Sequence, residues 1–325
     1  MQAQSSSDFA VQRIRTKAFY ALGQFEAAHA AATQTVCVSA NGQETLSAAL
    51  WQTGNSAESA ALAAHLEQIA PEAPETLIAA GNALALSGDR STAIECFESA
   101  SENATRLDRL ELSSYAQLLC ANEHLSLDKL SEAENHFRTA LEHLPGSYRA
   151  LFGLASIAEQ QGRLNEASRL LQRTLRANPR CVDAHVQLAL LCRQSHQEAM
   201  ALQSLQKALT VSPAHPHALY ELAALQLHRG RYDQALLHAS ALSRVAPEDS
   251  DAITLQARIL AKLGRNREAA SLFARALALQ PPDAAVVAQE LQQLHELISP
   301  RNSDVGDEEM LPMLPSAPSS FFSNA

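Results

Sequence analysis

Pro145, Pro179, Pro213, Pro247 and Pro281 stand 34 residues apart, five in succession. A fixed period of this length constrains the chain more than any other feature. Each unit must be a supersecondary element that buries its apolar face on its neighbours. Twelve residues before each proline is an alanine: Ala133, Ala167, Ala201, Ala235 and Ala269. Twenty-four residues before each is another: Ala121, Ala155, Ala189, Ala223 and Ala257. Two antiparallel helices need small residues where their backbones cross, and the two columns supply one per helix. Leu154, Leu188 and Leu222, with Phe137, Leu171, Leu205 and Phe273, provide bulk beside them. The proline cannot continue a helix, so it ends the second helix and sets the turn to the next unit. Gly162, Gly230 and Gly264 fall between the two helices, where a short turn needs a permissive backbone.

Composition agrees with helix. The 325 residues are 46% hydrophobic but only 5% aromatic, and Ala and Leu, which lose least on entering a helix, predominate. The formal net charge of −10 argues against a broad nucleic-acid-binding or anionic-membrane surface, both of which need clustered Lys and Arg. No stretch approaches the ~20 apolar residues of a membrane span, and the N-terminus has no apolar run of signal-peptide length. A nuclear and cytoplasmic location is expected. Cys37, Cys96, Cys120, Cys181 and Cys192 are scattered and never form a Cys-x-x-Cys pair, so reduced thiols are expected rather than a disulfide or zinc framework.

The period and its small-residue columns are those of the tetratricopeptide repeat. The resemblance implies an all-α fold, a right-handed superhelical solenoid. Residues 73–283 read as the repeat array and 1–72 as degenerate N-terminal helical repeats, including the helix–turn–helix phrase "KAFYALGQFEAAHAAATQ". In "PETLIAAGNALALSGDRSTAIECFESA" Gly81, Gly88, Ala93, Phe97 and Ala100 occupy the expected places, but Thr105 replaces the closing proline. About six extra residues within "TRLDRLELS" must lengthen a helix or a loop. Residues 284–299 read as one amphipathic capping helix, which a solenoid needs to cover its last apolar face. Residues 300–325, Pro/Ser-rich and acidic, read as a disordered tail. Phe321 and Phe322 lie within it, and Ser299–Pro300 makes Ser299 a candidate phosphosite.

No catalytic constellation is apparent. "ALGQF" and "HRGRY" are turns between helices, not phosphate loops, and His215 and His217 flank Pro216 at a turn without companions for a metal. Neither an enzyme activity nor a cofactor is expected. Function should instead lie on the first helices of the repeats. Asn82 and Asn122 follow the small-residue column, and Arg149 begins the next repeat. Two amides and a guanidinium suit an extended peptide or its terminal carboxylate. On this set a co-chaperone or another peptide-binding adaptor stands as the alternative reading, although the carboxylate clamp of chaperone-binding repeats also wants a lysine where this chain has Ile78, so the match is partial. Phe152, Glu159, Asp183 and Tyr220 are expected on the same trough, where an aromatic body beside carboxylates suits an apolar residue next to a basic one.

The order of phrases resembles one family. Ala49-Leu50-Trp51, Pro74-Glu75, Gly81-Asn82 and Ala93-Ile94 with Phe97 follow one another as in the cell-division-cycle-27 family of anaphase-promoting-complex subunits. Leu77 stands where that family has tryptophan. "RVAPEDSDAITLQARILAKLGRNREAASLFARAL" is similar to the family's last repeat. The resemblance implies a non-catalytic scaffold of a ubiquitin ligase, binding C-terminal Ile-Arg tails of co-activators and of a core subunit. A sister repeat subunit of the same complex shares the architecture. The family dimerises through a long N-terminal repeat block, so a homodimer is a partner the resemblance allows, and at most two degenerate repeats precede residue 74. Nucleic acid and membrane are not expected partners.

Overall fold

The computed structural model describes residues 43–298 throughout and, before them, positions 16, 19, 26–28 and 30. The phrase at residues 17–34, Ser299 and the tail at 300–325 therefore lie largely or wholly outside the described residues. All regular structure described from residue 44 onward is helical: α1 (Glu44–Gln52), α2 (Ser56–Ile69), α3 (Pro74–Ser87), α4 (Arg90–Arg106), α5 (Leu110–Ser126), α6 (Leu130–His143), α7 (Tyr148–Gln160), α8 (Leu164–Ala177), α9 (Val182–Gln194), α10 (Glu198–Val211), α11 (Pro216–His228), α12 (Tyr232–Val245), α13 (Ser250–Lys262), α14 (Asn266–Ala278) and α15 (Ala284–Ile298). The chain forms two compact units, Met1–Ala218 and Leu219–Ala325.

The helices pair as the period requires. All ten column alanines are at most 2% exposed. Phe137, Leu171, Leu205 and Phe273 are likewise within 2%. A bulky side chain buried to that degree contributes about 2–3 kcal/mol, while the alanines let the backbones come close enough to bury it. Glycine takes the small-residue role at two further points. A Cβ on Gly81 would overlap the Phe97 ring, and one on Gly153 would overlap that of Phe137. Local signals start the helices: Asp89 accepts from the Thr92 amide, Asn55 from that of Glu58, and Pro74 occupies the first turn of α3.

The turn inside each hairpin hinges on one left-handed residue. Gly162, Gly230 and Gly264 have φ of 74°, 71° and 77°. At the same register Asp128 (φ 58°) and His196 (φ 56°) do the same work without glycine's freedom. The extra residues upstream lengthen both helices rather than a loop: α4 and α5 each run to 17 residues. Asp108, at φ 55°, turns the chain between them.

Within the first unit one core runs through α5 to α9, from Leu118 and Ala133 to Ala184 and Leu191. A second gathers Ile78, Phe97, Leu112 and Cys120. In the second unit Val287 and Leu294 of α15 join Ile253, Leu260 and Phe273. Arg258 of α13 ties that helix to α15, donating through Nε to Glu290 at 3.0 Å and lying 3.5 Å from Asp283.

Candidate peptide-binding groove

The first helix of each hairpin carries the residues that packing leaves over. Asn82 on α3, Asn122 on α5, Arg149 and Phe152 on α7 and Asp183 on α9 line one groove of about 500 Å³. The spacing that repeats the hairpin also repeats the face it presents, so residues 27 to 40 apart in sequence converge. Trp51 of α1, Tyr115 of α5 and Cys181 ahead of α9 are among the other lining residues.

The members differ in freedom. Asn82 is 1% exposed; its amide nitrogen donates to the Ser47 hydroxyl at 2.8 Å, while its Oδ1 is buried without a hydrogen-bond partner. Asn122 is exposed on the groove wall. Arg149 extends beside Tyr148, its guanidinium 5.8 Å from the ring centroid and its Nε donating to the phenol oxygen at 3.3 Å. Phe152 is half-buried, packed on the α5–α9 core. Asp183 lies 3.4 Å from His215 Nε2. Burial pushes the Cys181 thiol up, with Asp183 adding to the shift and Arg149 opposing it. Cys181 is thus held as a neutral thiol, a lining group rather than a nucleophile.

Two residues expected on the same trough are not in this lining. Glu159 lies further along α7, where its carboxylate accepts from Gln187 Nε2 at 2.6 Å. Tyr220 belongs to the second unit and packs there beside Ala223, Ala235 and Ile259. Burial, and then Asp251, push its phenol up. Ile78 is fully buried beside Phe97, so the position at which the clamp wants a lysine is a core position here.

A second hollow, of about 670 Å³, adjoins the first and shares Ala48, Tyr115 and Arg149 with it. Glu44, Asp108 and Glu111 line it together with Arg109. Arg109 donates to the fully buried Glu75 at 2.6 Å, a bond that pushes the guanidinium's pKa up and leaves the other three carboxylates as the hollow's acidic wall. Arg149 therefore stands where an aromatic, amide-bearing groove meets an acidic hollow. Trp51 and Tyr115 were not read from the sequence as groove residues. Trp51 is the chain's only tryptophan, and an aromatic left incompletely buried on a first helix is the signal that could have found it. Among the described residues no group of three or more His, Cys, Asp or Glu is placed to hold a metal ion, and no helix is long and apolar enough to cross a membrane.

Comparison with known proteins places the chain among repeat proteins. Residues 151–280 match the middle tetratricopeptide-like domain of cilia and flagella-associated protein 70, and residues 118–167 match the tetratricopeptide repeat itself. The cell division cycle protein 27 homolog of Caenorhabditis elegans is 32% identical over 139 residues, which is 43% of this chain and 17% of that protein. Anaphase-promoting complex subunit 3 of Schizosaccharomyces pombe is 22% identical over 251 residues, 77% of this chain and 37% of that protein. The chain thus spans well under half the length of these relatives. In fold it is similar to the anaphase-promoting complex Cut9–Hcn1 hetero-tetramer, with a TM-score of 0.66, 16% identity, and coverage of 85% of this chain and 53% of that one. It is also similar to PilF of Pseudomonas aeruginosa, with a TM-score of 0.60, 20% identity, and coverage of 69% and 98%. The fold is an all-α tetratricopeptide-repeat array, and the resemblance to the cell-division-cycle-27 family, read from the order of its phrases, is borne out by these relatives.

Proposed function

We propose that this tetratricopeptide-repeat chain, similar as it is to cell-division-cycle-27 proteins, is a non-catalytic scaffold subunit of the anaphase-promoting complex. Its work is to hold other subunits and co-activators by their C-terminal tails, in the nucleus and cytoplasm. The position of Arg149 carries this reading. A C-terminal carboxylate can pair with the Arg149 guanidinium and the Asn122 amide, both charge-assisted. The preceding aliphatic side chain can then lie against Phe152 and Tyr115. A terminal arginine side chain can reach the acidic wall of Glu44, Asp108 and Glu111. An Ile-Arg terminus uses all three features, and a single ligand end is recognised by its charge, its shape and its free carboxylate together.

The test is fluorescence anisotropy with a labelled decapeptide ending in Ile-Arg. The free-acid peptide should bind, and its C-terminal amide should bind at least about tenfold more weakly, which corresponds to ~1.4 kcal/mol. Arg149→Ala should erase the difference between the two. Equal binding of acid and amide by the unaltered protein would refute the tail-binding role. The scaffold role is tested separately, by purifying the tagged chain from its own cells. Recovery with no other subunit of the complex would sink it.

A further inference from the structure

Helix α8 carries a stripe of arginines that neither the fold nor the groove uses. Arg169, Arg173 and Arg176 fall within about 60° of one another on the helical wheel, and Arg180 continues the spacing just past the helix end. All four are exposed. None makes a side-chain hydrogen bond or ion pair with a described residue. Several other arginines are engaged, and those among the described residues that are not, Arg231, Arg244 and Arg267, stand singly on three different segments rather than in a stripe. Arg163 bonds Glu166 at 2.7 Å and Glu134 at 3.2 Å, Arg265 bonds Glu268, and Arg275 donates to the Pro247 carbonyl. Arg275 occupies the repeat position of Arg173, three periods on. The one acid of α8, Glu166, is already held by Arg163.

This concentration runs against the whole. The chain carries 35 acidic and 25 basic residues, yet the segment from Leu164 to Arg180 holds four unpaired arginines and that single acid. Arginines three and four apart on a helix repel one another, so the stripe lowers the helix's own stability. The helix dipole favours cations in the last turn and so accounts for Arg176 and Arg180 only. Arg169 and Arg173 lie further in.

We propose that the α8 stripe is a docking surface for an acidic polypeptide segment of a partner protein, bound in extended form. Successive arginines rise about 4.5 to 6 Å along the helix, and alternate residues of an extended strand are about 6.6 Å apart, so one carboxylate can meet each guanidinium. Bidentate Arg–carboxylate pairs supply the directionality. Nucleic acid fits less well. The stripe is flanked by Asn165, Gln172 and Leu175, with no aromatic to stack a base. The surface is independent of the Arg149 groove.

A fluorescein-labelled peptide of six Glu-Ser repeats, titrated with the full chain, provides the test. Binding should weaken about tenfold or more on raising salt from ~50 to ~300 mM. The fourfold variant R169Q/R173Q/R176Q/R180Q should lose at least tenfold in affinity while keeping the circular dichroism of the parent, since all four side chains are exposed. Arg138→Gln, whose arginine is already paired with Glu134, should bind as the parent does. Arg149→Ala should leave this binding intact, which separates it from the tail-binding site. Absence of binding, equal binding by the fourfold variant, or an equally charged oligothymidylate binding as tightly would overturn the proposal.

Discussion

Two stretches of the first unit hold their helices together by different means. From α6 to α10 the fully buried contacts are mostly apolar, with alanine columns letting Phe137, Leu171 and Leu205 close the gaps, and polar pairs such as Glu159–Gln187 and Arg163–Glu134 lie at their part-buried margins. From α1 to α5 specific polar pairs are built into the packing. Glu75 is fully buried against Arg109, and Glu123, 4% exposed, accepts from Arg90 at 2.8 Å. Asn82 holds Ser47, and the Ser101 and Ser113 hydroxyls meet at 2.8 Å. Where the repeat is strict, shape is the main determinant of the register. Where it degenerates, desolvated partners set it, since a slipped register would leave them unpaired. The candidate groove spans the seam, with Trp51 and Asn82 from one stretch and Phe152 and Asp183 from the other.

The sharpest way to break this contrast is Arg109→Ala. It leaves the Glu75 carboxylate buried without its cation and should lower stability by about 3 kcal/mol in urea denaturation. Amide protection should fall in α1–α4 and hold in α8–α10, and Glu75→Gln in the same background should recover part of the loss. A cost below ~1 kcal/mol, ordinary for an exposed pair, would mean that the upstream pairs do not set the packing.

Gly81→Ala and Gly153→Ala test a device the two stretches share. Each adds a methyl against a buried ring and should cost about 2 kcal/mol in thermal melts. Phe97→Leu should relieve the first and Phe137→Leu the second. Failure of these rescues would place the strain elsewhere.

A smaller effect is expected at the turns. His196 holds a left-handed conformation that glycine holds at Gly162, so His196→Gly should gain about 0.5 kcal/mol, and Gly162→Ala should lose ~1 kcal/mol. A destabilised His196→Gly variant would show that the imidazole makes up for its backbone.

The smallest effect is pH. Burial, and next the stacked His124 at 5.0 Å, push the His136 imidazole down. Burial also pushes down His185. The unfolded chain then takes up protons below about pH 6.5 before the folded chain does, so stability is full above that pH and falls as pH drops below it. Thermal midpoints should decline between about pH 7 and 5.5, and His136→Gln should flatten the decline. A midpoint that rises with acid would contradict the sign.

The hairpins were legible because their signals are local and repeated. A proline that cannot continue a helix, an alanine where backbones cross and a glycine in a short turn each act within a few residues, and five copies make the pattern unmistakable. That was enough for the fold class, and the first-helix rule was enough to nominate Asn122, Arg149, Phe152 and Asp183. Other features had no local mark. Asp128 and His196 take glycine's conformation because the repeat around them imposes it. The insert lengthened α4 and α5 because helix was the shortest way to keep both faces packed. Asn82 is largely enclosed because Ser47, 35 residues earlier, comes to its amide. Glu75 and Arg109 look like surface charges until the tertiary structure buries one against the other.

The sequence by itself determined the period, the two helices per period and the residues that pack them, because short-range backbone and volume constraints decide those. Only the tertiary structure decided which leftover side chains share a groove, which are consumed by a neighbour, and that the α8 arginines stand unpaired. Those outcomes depend on residues far apart in the chain arriving within a few ångströms, and no single repeat encodes that.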